Sequence, residues 1–504
     1  MNISGFEQLK DAHLHFMGIG GQGISAVAQM ALQEGAIISG CDQTVSATTN
    51  MLAQKGIPIE IGHNPKHLAQ VDALIYVPAV VAFNPDNPEL VAAKISGMPV
   101  MTWQELMGKW MQGKLVLSVS GVHGKGTTTA MFALMLVEAG LDPTCEIGAI
   151  VPGFGSNYRI GTSQYFVNEA DEFNNNFWNY HPRLAVVTSI EFEHPEFFAD
   201  YETFLQSFEH FIRGMDMQGA WSLQPTLILN ADSPGCLELR ERLSDWTGRV
   251  LTYAVEGLSH AEEARNGAYG LADFTACDVR LEGTTSFRVR SRATEGNAFP
   301  SDTVIHLRLP GIHNIQNALA ALTAGKCIGI QDSVIISTLQ NFSGIGRRFE
   351  IRFEGSLAID GEVRDVILVD DYAHHPTAIS ATLEAARERF PGRRLIAVYQ
   401  PHMYSRTKAF FEQFLTAFED ADVVIIADIF PGREHDDGSI HARELVEAMA
   451  KCTPFLSARK RVSYGGNVAQ TTALLRDTLR SGDVAIVMGA GDIYAVTEAL
   501  LQRT

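Results

Sequence analysis

The chain of 504 residues is poor in cysteine, with six, at positions 41, 145, 236, 277, 327 and 452. No two form a CxxC and none has a histidine nearby at metal spacing, so the sequence offers no disulfide or zinc framework. The thiols are expected to be free and buried in a reducing compartment. No apolar run approaches the ~20 residues that a membrane span requires. Met1 to Asp11 lacks a basic-then-apolar leader pattern, which points to the cytoplasm and away from a membrane. Basic excess is also missing: 39 Lys and Arg stand against 58 Asp and Glu, a net charge of −19. That balance argues against a nucleic-acid groove. It leaves room for anionic small molecules, which are held locally by backbone N–H groups, helix N-termini, a few Lys and Arg, and Mg²⁺. Internal repeats, low-complexity tracts and coiled-coil heptads are absent too.

What is present is a core-forming composition, 46% hydrophobic, in a chain long enough for about three domains of roughly 100–200 residues. Residues 1–110 alternate strands (His13–Ile19, Ala36–Cys41, Ala73–Val77) with a helix at Gly23–Glu34, as βαβ units do. Residues 111–343 restart at the strand Lys114–Ser120 and include Leu184–Ser189 and Thr226–Asn230, with an antiparallel or loop-rich insertion over about 259–302. Residues 344–504 repeat the rhythm at Val366–Asp370, Leu395–Tyr399, Val423–Ala427 and Val484–Met488. The expected fold class is α/β in three domains: Rossmann-like, then a central P-loop ATPase-like unit, then Rossmann-like again.

Two glycine loops carry phosphate chemistry. Gly18-Ile19-Gly20-Gly21-Gln22-Gly23 matches GxGxxG between a strand and a helix, and Asp42 ends the next strand, about where an acidic residue meets a ribose hydroxyl. The glycines let backbone approach a diphosphate, and the helix N-terminus favours its charge. A nicotinamide dinucleotide and a UDP diphosphate both satisfy this physics, and a plain tight turn needs neither. The second loop, Gly121-Val122-His123-Gly124-Lys125-Gly126-Thr127-Thr128-Thr129, follows the strand Leu115–Ser120 and opens the helix Ala130–Ala139. Backbone N–H groups there cradle a β-phosphate, Lys125 neutralises a γ-phosphate and a hydroxyl ligates Mg²⁺. Its spacing departs from GxxxxGK[ST], and the bland alternative is a Gly-Lys-Gly turn capped by threonine. Downstream, Glu169-Ala170-Asp171-Glu172 and Ser189-Ile190-Glu191-Phe192-Glu193-His194 each follow an apolar strand-like run. Hard carboxylates with one imidazole suit Mg²⁺ beside phosphates, although singly each reads as solvated charge or a helix cap.

With HFMGIGGQGIS, SGCD, GVHGKGTTTA, EADE, IEFEH, LPGIHNIQNALAA, GIGRRFE, DDYAHHPT, QPHMYSRT and MGAGDI in this order, the chain resembles the Mur ligase family over nearly its whole length. The resemblance implies an ATP-dependent amide ligase that joins an amine to the carboxylate of UDP-N-acetylmuramate through an acyl phosphate. It implies ATP and two Mg²⁺ ions, with Gly18, Gly20, Gly21, Gly23 and Asp42 on the UDP part. Gly121, His123, Gly124, Lys125, Gly126, Thr127 and Thr128 would hold the ATP phosphates, and Thr127, Glu172 and His194 the metal. His313, Asn314 and Asn317 would meet the adenosine part, and Arg347, Arg348 and Asp371 would complete the nucleotide site. His374, His375, His402 and Arg406 would face the incoming amine, the first three as candidates for taking its proton. QPHMYSRT favours L-alanine as that amine; the alternative is a murein tripeptide, in cell-wall recycling. Either way the protein would act as a monomer or homodimer.

Three departures stand out. The family's loop usually reads GKTTT or GKST, whereas Gly126 follows Lys125 here. Val80-Val81-Ala82 replaces a Ser-Ser-Ala stretch ahead of Asn87-Pro88-Glu89, and Met403 stands where relatives often carry a basic or hydroxylated residue. Competing classes fare less well: a dehydrogenase leaves Lys125, Glu172 and His194 without a task, a folate polyglutamylating enzyme leaves the first loop without one, and a non-catalytic nucleotide sensor has no need of the intact set.

Overall fold

Runs that are apolar on both faces become interior strands of parallel sheets, where helices cover both sides. Leu115–Ser120, Leu184–Val187, Thr226–Asn230, Leu395–Tyr399, Val423–Ala427 and Val484–Met488 are buried at every residue. The computed structural model describes residues 9–258, 272–292, 299–300, 302–359, 361–432, 434–436, 438–452, 455 and 460–502. Of the insertion expected over 259–302, residues 259–271, 293–298 and 301 lie outside the described residues.

Three sheets account for the described strands. The first holds β1 (His13–Met17), β2 (Ile37–Asp42), β3 (Ile59–Ile61), β4 (Ala73–Tyr76) and β5 (Val100–Thr102), all parallel in the order β3-β2-β1-β4-β5. The second runs from β6 (Leu115–Ser120) through β7 (Thr144–Val151), β8 (Ser156–Arg159), β9 (Tyr165–Glu169), β10 (Leu184–Val187), β11 (Thr226–Asn230), β12 (Arg249–Val255), β13 (Phe274–Arg280) and β14 (Thr285–Ser291) to β15 (Val304–Leu307). Its order is β15-β14-β13-β12-β11-β10-β6-β9-β7-β8. The described part of the insertion holds β13 and β14, which form an antiparallel meander at the edge with β15 just beyond it. The third sheet joins β16 (Glu350–Ile359), β17 (Glu362–Asp371), β18 (Leu395–Tyr399), β19 (Val423–Ala427), β20 (Arg461–Gly466) and β21 (Val484–Met488) in the order β16-β17-β21-β18-β19-β20, with only β16 antiparallel.

Helices used below are α1 (Gln22–Gln33), α2 (Pro88–Ile95), α3 (Lys125–Glu138), α4 (Ile312–Cys327), α5 (Pro376–Arg389) and α6 (Tyr404–Ala409). Helix α3 starts at Lys125 rather than at Ala130, because Gly124 at φ +82° makes the turn and the three threonines continue as helix. A Cβ at Gly124 would sit 2.2 Å from Asn317 Oδ1, so α4 packs directly on the loop.

The first and second sheets share one continuous apolar cluster that runs from Leu14, Phe16 and Trp110 to Phe166, Phe177 and Phe208. The third sheet has its own two faces, one around Val369, Leu383 and Tyr399, the other around Leu368, Ile425 and Val487. Two non-glycine residues, Arg347 (φ +57°) and Phe349 (φ +47°), turn left-handed where the chain enters the third sheet. Among the described residues no helix is long and apolar enough to cross a membrane.

Gly23 at the start of α1 lies under Trp103, where a Cβ would come within 2.7 Å of the indole. Gly23→Val should therefore destabilise the protein by about 1–3 kcal/mol through overpacking. Chemical denaturation followed by tryptophan fluorescence checks this, and an unchanged midpoint counts against the packing.

Candidate active site

Strands β9 and β10 pair in parallel with β6 on either side, so the residues after all three strands emerge at the same edge of the sheet. They line a cleft of about 600 Å³ together with the residues that follow β17 and β18. The phosphate loop forms its floor. Gly121 takes φ +122°, and a Cβ there would come within 2.3 Å of Thr188 Oγ1, so only glycine fits. The His123 backbone N–H donates to the Ser189 hydroxyl oxygen (2.9 Å), and the His123 Nε2 contacts Glu191.

Lys125 is the electrostatic centre. Its ammonium donates to both Glu172 oxygens, at 2.8 and 2.5 Å, and stands 3.8 Å from Asp171. Burial alone would push the Glu172 carboxyl up, yet Lys125 and His194 hold it below the usual carboxylate range. Asp171, half-buried in the cleft wall, is instead pushed up, by desolvation there and by the neighbouring Glu172 charge. His194, at φ +58°, brings Nε2 to 3.7 Å from Glu172 and Nδ1 to 3.1 Å from Glu196. One donor atom from each of Asp171, Glu172 and His194 lies within 4.8 Å of the others, a set of hard oxygens and one imidazole suited to a divalent cation. Glu169 faces the same space and accepts from the Gly148 N–H at 2.8 Å.

The opposite wall belongs to the third sheet. Arg406 on α6 donates from Nε (2.9 Å) and Nη2 (2.5 Å) to Glu193, both side chains being about 4% exposed. A second contact between the two sheets runs from the Thr377 hydroxyl to Glu191 (3.0 Å). His374 has its Nδ1 2.9 Å from the Tyr372 carbonyl. A carbonyl only accepts, so Nδ1 carries the hydrogen and Nε2 the lone pair. Burial and the charge of Arg406 push this imidazole well below its ordinary range. His375 is used differently: it caps α5, accepting from Thr377 N–H at 3.4 Å. His402 accepts from Arg406 Nη1 at 3.2 Å and stacks on Phe430 at 5.6 Å.

Lys125, Gly124, His123, Glu172, His194, Arg347, Arg348, His374, His375, His402, Met403 and Arg406 thus line one cleft. Other expected site residues lie elsewhere. Thr127 and Thr128 are buried on the first turn of α3, and the Thr128 hydroxyl donates to Asn317 Oδ1 at 3.3 Å. The position aimed at the carboxylates is 126, where a Cβ would stand 3.1 Å from Glu169; glycine leaves it without a hydroxyl, and Thr127 lies about 100° further round the helix. The Asp42 carboxylate accepts from the Gly20 N–H (2.9 Å) and from the Thr44 N–H (3.3 Å), bracing the first glycine loop. Gly18 of that loop packs near Val77 and Val80, and only Gln22 of the loop reaches the cleft. Asn314 donates to the Pro310 carbonyl (2.7 Å) and Asn317 to Asn314 (3.3 Å), while burial pushes His313 down to about 4. Asp371 accepts from the Phe349 and Ala373 N–H groups, and Arg347, although it lines the cleft, donates to the Gly489 and Gly491 carbonyls, so both tie loops of the third domain together.

The sequence places Asp171, Glu191 and Glu193 in carboxylate segments suited to Mg²⁺ but gives them no individual role. The signal available was the Glu-x-Glu-His alternation after β10, which sends Glu191 and Glu193 toward the third sheet.

Family profiles match almost all of the chain: "Mur ligase family, catalytic domain" at residues 13–115, "Mur ligase middle domain" at 119–325 and "Mur ligase, glutamate ligase domain" at 347–491. A UDP-N-acetylmuramate–L-alanine ligase of Persephonella marina is 34% identical over 494 residues, 98% of this chain and 97% of its own. One from Roseiflexus sp. is 37% identical over 497 residues, 97% and 98% of the two chains. Among solved structures, the UDP-N-acetylmuramate–alanine ligase MurC of Thermotoga maritima superposes with a TM-score of 0.76 at 24% identity, covering 97% of this chain and 98% of that one. MurF of Thermotoga maritima in complex with ADP follows at 0.57 and 18% identity, covering 99% and 98%.

The surroundings of His194 give a test in metal-free buffer. Burial would lower this imidazole, but Glu172, Glu196 and Glu193 override it and push it up to about 9 from the ordinary 6.5. A raised folded-state value contributes stability that is complete below about pH 6.5 and is lost as pH rises through about 9. Unfolding free energy should fall across that window, and His194→Gln should flatten the fall. Denaturant titrations at several pH values read both, and equal slopes in the two proteins would refute the assignment.

Proposed function

The chain belongs to the Mur ligase family, and from that premise we propose that it joins L-alanine to the carboxylate of UDP-N-acetylmuramate at the expense of ATP, a step of peptidoglycan precursor synthesis. The observation that carries the reading is the meeting, in one cleft, of a phosphate loop with a carboxylate–imidazole set on one wall and the QPHMYSRT segment on the other. The full-length likeness to L-alanine ligases supports alanine over the tripeptide as amine.

In this reading residues 1–110 hold the UDP-sugar on the loop Gly18 to Gly23, residues 111–343 hold the nucleotide, and residues 344–504 close over the amine. Asp171, Glu172 and His194 are the residues that would hold Mg²⁺, and their donor set fits that hard cation. The chemistry that MgATP supplies is the phosphoryl group that activates the muramyl carboxylate as an acyl phosphate. Lys125 stabilises the charge of the transferring group, which is the largest electrostatic contribution in such sites. His374 stays neutral near pH 7 and takes the proton of the attacking amine at Nε2. The contacts of Glu193 with Arg406 and of Glu191 with Thr377 keep the third domain against the second, which keeps water from the activated carboxylate.

Phosphate release with ATP, Mg²⁺ and UDP-N-acetylmuramate tests the proposal. Turnover is expected with L-alanine and not with L-Ala-γ-D-Glu-diaminopimelate, and Lys125→Met should lower kcat at least about 10²–10³-fold. Turnover with the tripeptide alone would make the protein a recycling ligase, and turnover with neither amine would overturn the muramyl assignment.

A further inference from the structure

On the face of the first sheet away from α1, a polar cluster is enclosed beneath the segment 62–68 and α2. His15 points there from β1, Cys41 from β2 and Glu89 from α2, with side chains 1%, 0% and 0% exposed. His67, 15% exposed, covers them from the segment after β3. A donor atom from each of the four lies within 4.8 Å of the others. Cys41 Sγ is 3.1 Å from Glu89 Oε2, His15 Nε2 is 3.9 Å from Glu89 Oε1, and His67 Nδ1 contacts the same oxygen. His63 stands beside them, its Nδ1 3.3 Å from Cys41 Sγ and 3.5 Å from Glu89 Oε2.

We propose that His15, Cys41, His67 and Glu89 form a binding site for one transition-metal ion of the Zn²⁺ class, separate from the nucleotide cleft.

Three observations carry it. The donors are one thiol, two imidazoles and one carboxylate, the mixture that borderline-soft Zn²⁺ takes and that Mg²⁺ does not. Metal–ligand bonds of about 2.0–2.3 Å in a tetrahedron place donors roughly 3.3–3.8 Å apart, so the spacings here need only small adjustments. His15 Nε2 is buried without a hydrogen-bond partner and faces the cluster, while its Nδ1 is held at 2.9 Å by the Ser39 hydroxyl, the outer contact that orients a ligating imidazole. Burial also pushes His15 down to about 4, so it is in the neutral form that ligates. The Cys41 thiol, pushed up by burial and by Glu89, holds its proton in the metal-free protein. Binding thus exchanges the S–H bond for a sulfur–metal bond and releases one proton to solvent. The ion would tie β1, β2, the 62–68 segment and α2 together, one residue from the Asp42 that braces the glycine loop.

The test uses the full chain, stripped with a chelator, desalted and titrated with Co²⁺ in the absence of nucleotide. One equivalent should produce tetrahedral cobalt absorption with a thiolate-to-cobalt charge-transfer band and release one proton, and Zn²⁺ should displace it. The carboxylate–imidazole groups of the cleft contain no sulfur, and among the described residues Cys41 is the one cysteine that belongs to such a donor group, so the band reports this site. Cys41→Ser should abolish it with the fold intact by circular dichroism, and His67→Ala, at the exposed rim, should weaken Co²⁺ at least about tenfold. Absence of the band in the unsubstituted protein overturns the proposal even if Cys41→Ser fails to fold, and so does a band that survives Cys41→Ser.

Discussion

Glu169, Asp171, Glu172, Glu193 and Glu196 bring five carboxylates to the walls of one cleft, and the chain sets Lys125, His194 and Arg406 against them. Burying unpaired charge is prohibitive, so each carboxylate needs a partner in contact. Lys125 meets Glu172, Arg406 meets Glu193, and the Gly148 N–H meets Glu169. Asp171 is left with the weakest share, which is why burial pushes it upward. The geometry of the phosphate loop follows from the same need, since a lysine at the first position of α3 projects over the strand ends only if Gly124 adopts a left-handed turn.

The Glu193–Arg406 pair also decides how the third domain sits. Both groups are almost fully enclosed, and they come from different sheets. Removing one partner of such a pair costs about 3–5 kcal/mol, because the other is left enclosed and uncompensated. The third domain is held by these directional polar contacts and by Phe192, which packs on Phe410, whereas the first two share a continuous apolar cluster. Polar contacts can be exchanged for water when the domains part. A continuous apolar cluster can be parted only by exposing it.

Much of this was legible in the chain. Runs such as Leu395–Tyr399 and Val484–Met488 are apolar at every position, and the strands observed have the expected bounds. The order of motifs carried the family, and with it the three-domain α/β fold. Roles that depend on a side chain's direction were less legible. The hydrogen bond of Asp42 to the Gly20 N–H is not legible from its place at a strand end. Nor is it legible that Gly126, rather than Thr127, is the position facing Glu169. His374 and His375 are adjacent and chemically identical, and only the Tyr372 carbonyl and the Thr377 N–H tell them apart. Cys41 has no histidine at metal spacing along the chain, because its neighbours His15, His67 and Glu89 are brought to it by sheet pairing and by the packing of α2.

The shared apolar cluster of the first two sheets has a thermodynamic corollary. Cooperative unfolding units follow cores rather than sequence domains. The first two domains, joined through Leu14, Phe16, Trp110, Phe166 and Phe208, are expected to unfold as one such unit, and the third, whose clusters meet the second domain at Phe192, as another. Three domains by topology would then be two units in unfolding, and a cut in the chain near Arg347 and Phe349 falls at the seam between them.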